Sequence, residues 1–249
     1  MRFHDGVTQT LKITRMQVTF LVPILMALAC GLGSAYAARP FMTDDARLTT
    51  EGSCQLESWT RRYADRAEYW ALPACNPTGN LELTAGGGHF NADGLPHSRD
   101  SVLQAKTLFR PMQTNDWGWG LAVGRAWHPS AQPGPNNLGN TYVYLPLSAS
   151  WRDDRVVVHT NLGWVQDRQT RANATTWGAG VEYWVHPQVM LIAESFGDDR
   201  QKPWLQSGAR FSLIPGIFQI DVTRGTQPGS GSRSTWTSFG LRYTPDKLF

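Results

Sequence analysis

The chain has 249 residues, with 24 glycines, 11 tryptophans and a formal net charge of +3. Its basic residues are scattered along the sequence, which argues against a nucleic-acid partner. Glycine and tryptophan at these levels are more typical of a β-rich membrane protein than of an ordinary soluble domain. Beyond the apolar run near the amino terminus, no stretch is apolar for about 18 residues, so the sequence predicts no further helical span.

The amino terminus has the organisation of a secretory signal peptide. Lys12 and Arg15 precede an apolar run over residues 18–32, and residues 35–37 read Ala-Tyr-Ala, a small-residue cleavage pattern. The apolar run is too short and wrongly flanked for a stable transmembrane helix. We therefore predict a signal peptide over residues 1–37.

The mature chain is then expected to begin at Ala38. An uncleaved anchor and a lipoprotein box that ends at Cys30 are the alternatives. Residues 38–52 have no clear periodicity, and we expect them to be a short periplasmic lead-in to the folded domain.

Twelve segments in which apolar and polar side chains alternate follow the lead-in. A period of two is the side-chain pattern of a β-strand, and most segments are near the roughly 9–11 residues that a tilted strand needs to cross a bilayer. The predicted strands are 54–62, 67–75, 80–89, 101–110, 116–128, 140–151, 155–164, 174–186, 188–196, 204–213, 217–224 and 235–243. They predict an all-β fold, a closed antiparallel transmembrane β-barrel of about 12 strands, with 38–249 as one domain.

Large aromatic side chains on the predicted outward faces lie close to strand ends, and aliphatic residues lie between them. These aromatic residues are Tyr69, Phe109, Trp117, Trp119, Trp127, Trp151, Trp164, Trp177, Tyr183, Phe211, Phe218, Phe239 and Tyr243. This placement is typical of the two aromatic girdles of an outer-membrane barrel. A soluble β-sandwich is the alternative, but it would bury its tryptophans in mid-strand.

The predicted connections alternate in length, with short turns such as 111–115 and longer loops such as 129–139. In outer-membrane barrels the short turns are periplasmic, and an even strand number leaves both termini periplasmic. The chain ends at Phe249, and a carboxy-terminal Phe after an alternating strand resembles the signal that barrel-assembly machinery recognises. The expected partners are that machinery, through Phe249, and the lipid and lipopolysaccharide of the bacterial outer membrane.

Two cysteines remain after the signal peptide is removed. If 54–62 and 67–75 form a hairpin, Cys54 and Cys75 are equidistant from the loop centre and face each other. An oxidising compartment favours a disulfide between them. A metal site is the weaker alternative, because two thiolates without a nearby histidine do not make one. We predict no metal and no cofactor.

The inward faces of the predicted strands combine charged and aromatic side chains. Those expected to line the lumen and a solute path are Trp59, Arg61, Trp70, Lys106, Arg110, Tyr142, Tyr144, Glu182, Trp184, Glu194, Arg210, Asp221, Trp236 and Arg242. Charge inside a barrel must be paired or hydrated, so it either forms a salt-bridge network that narrows the pore or lines the path. Inward glycines such as Gly178 and Gly180 relieve crowding, let strands bend or leave room for a ligand.

The sequence contains no P-loop, zincin or nucleophile-elbow pattern. A lipid hydrolase would need a histidine beside a serine on the outward face near a rim. His89 and His128 lie near strand ends without an obvious serine partner, and His159 points inward. We therefore predict no catalytic residue and no enzymatic activity.

Five stretches resemble proteobacterial outer-membrane barrels of the transporter-like group, which is related to the phenol meta-pathway barrels. They lie at 38–46, 52–58, 72–77, 104–108 and 193–196. The similarity runs through most of the mature chain, and its motifs are structural rather than catalytic. The resemblance implies a barrel and, more loosely, uptake of hydrophobic or aromatic compounds.

We therefore expect an outer-membrane channel for passive passage of small solutes, with aromatic or hydrophobic compounds as candidates. Eight strands give a filled interior and about 16 give an aqueous channel, so 12 predict a narrow or gated pore. A non-conducting structural or adhesive barrel and a lipid-modifying enzyme are the alternatives.

Overall fold

The computed structural model describes residues 41–94, 97–127, 141–167 and 171–249. The predicted signal peptide and His128 lie outside the described residues. No helix in the described part of the chain is long and apolar enough to cross a membrane. The strands are β1 (Ser53–Arg62), β2 (Arg66–Asn76), β3 (Glu82–Ala92), β4 (Ser98–Arg110), β5 (Trp117–Trp127), β6 (Thr141–Trp151), β7 (Val156–Gln166), β8 (Asn173–His186), β9 (Val189–Asp198), β10 (Trp204–Ile214), β11 (Phe218–Thr226) and β12 (Thr235–Tyr243).

The twelve strands form one closed antiparallel barrel, as the sequence predicted. Each strand pairs with its neighbours in the chain, and β1 closes the barrel by pairing with β12, where Leu56 lies opposite Tyr243. The largest difference from the predicted boundaries is at β3 and β4, whose pairing continues to Phe90 opposite Ser98. Polar residues end the apolar pattern there, but backbone hydrogen bonding does not depend on that pattern.

The apolar side of every strand faces outward. Leu162, Phe239 and Trp151 are 60%, 58% and 51% exposed, whereas Trp236 and Phe196 on the inward side are 1% and 0% exposed. The exterior therefore carries the apolar belt, and the interior carries most of the charged residues of the strands. This distribution is the reverse of a water-soluble fold, and it is the one that alternating segments of a membrane barrel predict.

The start of β1 and the carboxy-terminal residues meet at one rim of the barrel. The carbonyl of Gly52 accepts hydrogen bonds from the N–H groups of Leu248 (2.8 Å) and Phe249 (3.1 Å). The side chain of Phe249 is 60% exposed. The connections β2–β3, β4–β5, β6–β7, β8–β9 and β10–β11 lie at this same end, which we call the short-turn end. The opposite end, which we call the long-loop end, also includes the short connection between β1 and β2. The periplasmic position of the short-turn end stays a prediction.

Cys54 and Cys75 form a disulfide across the first hairpin and occupy directly opposite positions in the β1–β2 register. The cysteine pairing that the centre of the hairpin predicted is therefore confirmed. We expect Cys54→Ala to lower the free energy of unfolding by about 3 kcal/mol, because the crosslink restricts the unfolded chain. Urea titration of the folded barrel, followed by its gel mobility, measures the change.

Cys75→Ala is the matched control, since it removes the same bond and should give the same loss. Both variants should still insert into membranes, because the strand pairing does not depend on the crosslink. Equal urea midpoints for the reduced and oxidised wild-type protein would contradict this prediction.

Candidate functional site

The lumen is occupied by residues 41–49 of the chain itself, which we call the lumen segment. Phe41, Thr43, Asp45 and Thr49 are at most 4% exposed, although they belong to no strand. The sequence predicted only a periplasmic lead-in here, and nothing in its pattern indicated contacts with the barrel wall. These contacts define the candidate site, because a solute that crosses the barrel has to pass the lumen segment.

The carboxylate of Glu194 on β9 binds the first part of the lumen segment. Its Oε1 and Oε2 accept the N–H of Met42 at 2.8 and 3.1 Å, and Oε2 also accepts the N–H of Thr43 at 2.9 Å. The amide of Gln206 donates to Glu194 Oε1 at 2.8 Å. Hydrogen bonds to an ionised acceptor are stronger than neutral ones, so Glu194 is a major anchor of the segment.

Asp44 contacts three different strands. Its carboxylate accepts hydrogen bonds from Lys106 Nζ at 2.9 Å and from the hydroxyl of Tyr144 at 2.7 Å. Its backbone exchanges two bonds with Asn161, whose Oδ1 accepts the Asp44 N–H at 2.7 Å and whose Nδ2 donates to the Asp44 carbonyl at 2.8 Å. The wall therefore satisfies both the charge and the backbone of this residue.

A buried polar chain continues from the lumen segment into the wall. The N–H of Ala46 donates to Ser148 Oγ at 2.8 Å, and Ser148 Oγ lies 2.8 Å from His159 Nδ1. His159 Nε2 lies 3.4 Å from Glu182, whose other oxygen pairs with Arg47 at 3.2 Å. The far end of the segment is bound similarly, since the N–H of Thr49 donates to Glu82 at 2.7 Å.

Ser148, His159 and Glu182 follow the order of a hydrolytic triad, but their surroundings do not suit catalysis. In this state Ser148 and His159 are 0% exposed, and Ser148 Oγ accepts the N–H of Ala46, so the hydroxyl is inaccessible to a substrate while the lumen segment is bound. The pair was not predicted from the sequence, because His159 points inward and a lipid hydrolase needs an outward site. The register of β6 and β7, which places Ser148 opposite His159, could have found it.

Two inward glycines of β8 provide the space for the lumen segment. A Cβ atom at Gly178 would lie 2.5 Å from Thr43 Oγ1, and one at Gly180 would lie 2.7 Å from the ring of Phe41. Phe41 packs there against Met190, Ile192 and Trp184. A side chain at either glycine would push the native segment away from the wall, unless it formed a covalent bond to the segment.

The half of the lumen toward the long-loop end is lined by aromatic side chains. Trp59 and Trp70 stack with centroids 5.6 Å apart, and Phe90 packs edge-on against Trp70. Trp204 and Trp236 form a second cluster with Phe196. Tyr142, 3% exposed, lies in the same half and donates to Gln104 at 3.0 Å. A solute that enters from this end meets aromatic rings before it meets the lumen segment.

The remaining predicted lumen residues are mostly inward and buried. Arg61 pairs with Glu68 at 3.3 Å and lies over the Trp236 ring, and Arg242 donates to Thr244 at 3.1 Å. Asp221 lies opposite Arg210 in the β10–β11 register.

Arg110 does not belong to the lumen set. A bulge between Leu108 and Arg110 interrupts the alternation of β4, so the side chain reaches the outer rim instead. There its guanidinium lies 4.0 Å from the centre of the exposed Trp117 ring and bonds Asp116 at 2.9 Å. The Trp117 N–H and the Arg110 guanidinium hold the pKa of Asp116 below its usual value.

The charges of the inner wall are shielded from water. Lys106 and Glu182 are 3% and 1% exposed, and both pair with the lumen segment. Arg210 is 0% exposed and lies opposite Asp221, but its guanidinium nitrogens have no hydrogen-bond partner among the described residues. Apart from Arg210, these contacts match the salt-bridge network, one of the two alternatives left by the sequence. The segment supplies several of its partners, namely Asp44, Asp45 and Arg47.

A closed barrel of twelve antiparallel strands, apolar outside and polar inside, defines a porin-like fold. Two solved porins share this fold. The KdgM porin has 12% sequence identity and a TM-score of 0.57, and the alignment covers 76% of this chain and 98% of that chain. The NanC porin has 10% identity and a TM-score of 0.53, and the alignment covers 78% of this chain and 100% of that chain. A comparison with curated proteins finds no match. Residues 24–243 match the family described as "Uncharacterised conserved protein UCP029691", and the chain belongs to that family.

Proposed function

We propose that the chain is an outer-membrane channel for small solutes and that the lumen segment is its plug. The observation that carries the proposal is the binding of residues 41–49 to inward side chains of several strands, which include Glu194, Asn161, Ser148 and Glu82. A barrel of 12 strands leaves more interior than its own side chains need. Here a segment with separate attachment points fills that interior, and its release would open a path.

The side chains on the outward face of the barrel support its proposed position in the outer membrane. Tyr69, Trp117, Trp151 and Tyr243 are between 42% and 51% exposed on the outward face. Aromatic side chains with both apolar and polar parts favour the membrane–water interface, and the aliphatic belt between them suits the hydrocarbon core. We place the short-turn end, where β1 begins and the chain ends, in the periplasm, and retain Phe249 as the contact for barrel-assembly machinery.

The proposed solutes are small aromatic compounds. The aromatic clusters around Trp70 and Trp236 line the long-loop half of the lumen, and flat rings stack favourably on such side chains. Acidic sugars are less suitable at these clusters, because Arg61, which lies over the Trp236 ring, already pairs with Glu68 of the wall. The KdgM porin has been solved in complex with disordered oligogalacturonate, which makes such sugars the natural comparison.

A reversible crosslink between the plug and the wall tests the proposal. A Cβ at Gly178 would lie 3.2 Å from the Cβ of Thr43, close to the roughly 3.5–4.5 Å of disulfides. We expect oxidised Thr43→Cys/Gly178→Cys to show no channel openings in planar bilayers and to conduct after a reducing agent is added. With the reduced protein, benzoate should cross into liposomes faster than galacturonate.

Thr43→Cys alone is the matched control, since it keeps the native Cys54–Cys75 disulfide and lacks the crosslink. Its conductance should be insensitive to the reducing agent. Equal conductance of the oxidised and reduced double variant, with the crosslink verified by mass spectrometry, would contradict a plug function.

A non-conducting structural barrel is the second candidate, and the complete burial of Arg210 and His159 favours it. That function predicts that neither the reduced double variant nor the wild-type protein conducts at all.

A further inference from the structure

The outward face of the barrel has a marked charge asymmetry. Among the described strand residues, every Asp and Glu points into the lumen, whereas Arg62, Arg99, Arg125 and Arg224 point outward. All four lie in the half of their strand that is next to the long-loop end. Arginines with this orientation border the hydrocarbon belt, where a charge is costly unless an anion binds it.

Two of these arginines, Arg62 and Arg224, lie close together, and Arg99 lies farther round the barrel on β4, three strands from β1. Arg62 and Arg224 both lie opposite Thr237 of β12, which puts them two strands and roughly 10 Å apart. Arg99 lies opposite His89 on β3. Arg62, Arg99 and Arg224 form no ion pair with any residue that the structure describes.

A groove of about 1000 Å³ runs along the exterior next to these arginines. Its floor is a row of small outward side chains in register on four adjacent strands: Ser58 opposite Ala71, Ala71 opposite Gly87, and Gly87 opposite Ser101. Phe211, Ile220 and Phe239 border it with apolar surface, and Arg99 and His89 lie at its end toward the long loops. The groove is therefore apolar along its length and cationic at one end.

We propose that this groove and the arginines beside it form a binding site for lipopolysaccharide of the outer leaflet. The acyl chains would lie along Ser58, Ala71 and Ser101, and the phosphate groups would contact Arg62, Arg99 and Arg224. A lipid with several acyl chains and more than one phosphate matches both the length of the groove and the spread of the three charges. This lipid site requires the barrel to lie in the outer membrane, as the proposed function does, but it does not require the barrel to conduct solutes.

Native mass spectrometry of the folded, detergent-solubilised protein titrated with diphosphorylated lipid A tests the site. We expect Arg62→Gln/Arg99→Gln/Arg224→Gln to weaken binding about 100-fold, since each arginine near an anionic lipid surface contributes roughly a factor of five. Arg110→Gln/Arg152→Gln/Arg155→Gln is the matched control. This control variant also removes three positive charges, but from the short-turn end of the barrel, and it should leave lipid A binding unchanged.

Ala71→Trp/Ser101→Trp fills the groove and keeps all charges, and it should also weaken lipid A binding. Dephosphorylated lipid A, phosphatidylglycerol and inorganic phosphate should bind the wild-type protein at least ten-fold more weakly than lipid A.

Equal lipid A binding by the wild-type protein and the first triple variant would overturn the proposal, as would equal binding of phosphatidylglycerol and lipid A. If the triple variant fails to fold, Arg224→Gln alone should still weaken binding several-fold, and no change would overturn the proposal. Planar-bilayer conductance of the same samples reports on the channel separately.

Discussion

Asp44→Ala is expected to raise the open probability of the channel about 100-fold. The substitution removes two hydrogen bonds between this carboxylate and the wall, from Lys106 at 2.9 Å and from Tyr144 at 2.7 Å. Hydrogen bonds to charged groups contribute about 1.5–3 kcal/mol each. Lys106 keeps a weaker contact with Asp45 at 3.5 Å, so we expect a net loss of about 3 kcal/mol for the closed state. Single-channel recordings in planar bilayers measure the open probability directly.

Asp65→Ala is the control for this experiment, because it also removes one carboxylate but from the exposed β1–β2 connection, where Asp65 pairs with Arg66. Its open probability should match that of the wild-type protein. An Asp44→Ala channel that opens as rarely as the wild-type channel would show that the lumen segment does not limit conduction.

Glu182→Ala is expected to lower the free energy of unfolding by about 3–5 kcal/mol, the usual cost of breaking a buried ion pair from one side. Glu182 is 1% exposed and pairs with Arg47 at 3.2 Å and with His159 at 3.4 Å. Its removal leaves a buried guanidinium with Asp45 at 3.7 Å. Urea titration of the barrel, followed by gel mobility, measures the loss.

A double-mutant cycle with Arg47→Ala separates the ion pair from other effects. The cost of Arg47→Ala should be smaller in the Glu182→Ala background than in the wild-type protein, since its main partner is already absent. Additive losses would mean that the two residues act independently. Glu182→Gln keeps the shape and should lose less stability than Glu182→Ala.

The sequence predicted the barrel well because its evidence is local. Alternation of apolar and polar residues with a period of two appears in every strand, and it assigns each side chain to the lumen or the exterior. The same period explains why the Cys54–Cys75 pairing could be derived from the hairpin centre alone. The alternation fails at Arg110, because a bulge adds one residue to β4 and places the Arg110 side chain on the outward face of the barrel.

The lumen segment could not be derived in this way. It has no periodicity, and it binds the wall largely through the backbone N–H groups of Met42, Asp44 and Thr49, which every sequence contains. The inward glycines were the available signal. Room for a ligand was one explanation of Gly178 and Gly180, and the ligand is Thr43 and Phe41 of the same chain.

The junction of the lumen segment with the barrel restricts the order of assembly. Only three residues separate Thr49 from β1, and Gly52 among them binds the two carboxy-terminal residues. Strands β1 and β12 are the first and the last to be made, and their pairing completes the cylinder. Residues 41–49 are therefore tethered at the site of the final closure. Either they are already between the strands when β1 and β12 join, or they must afterwards be threaded backwards through the short-turn opening.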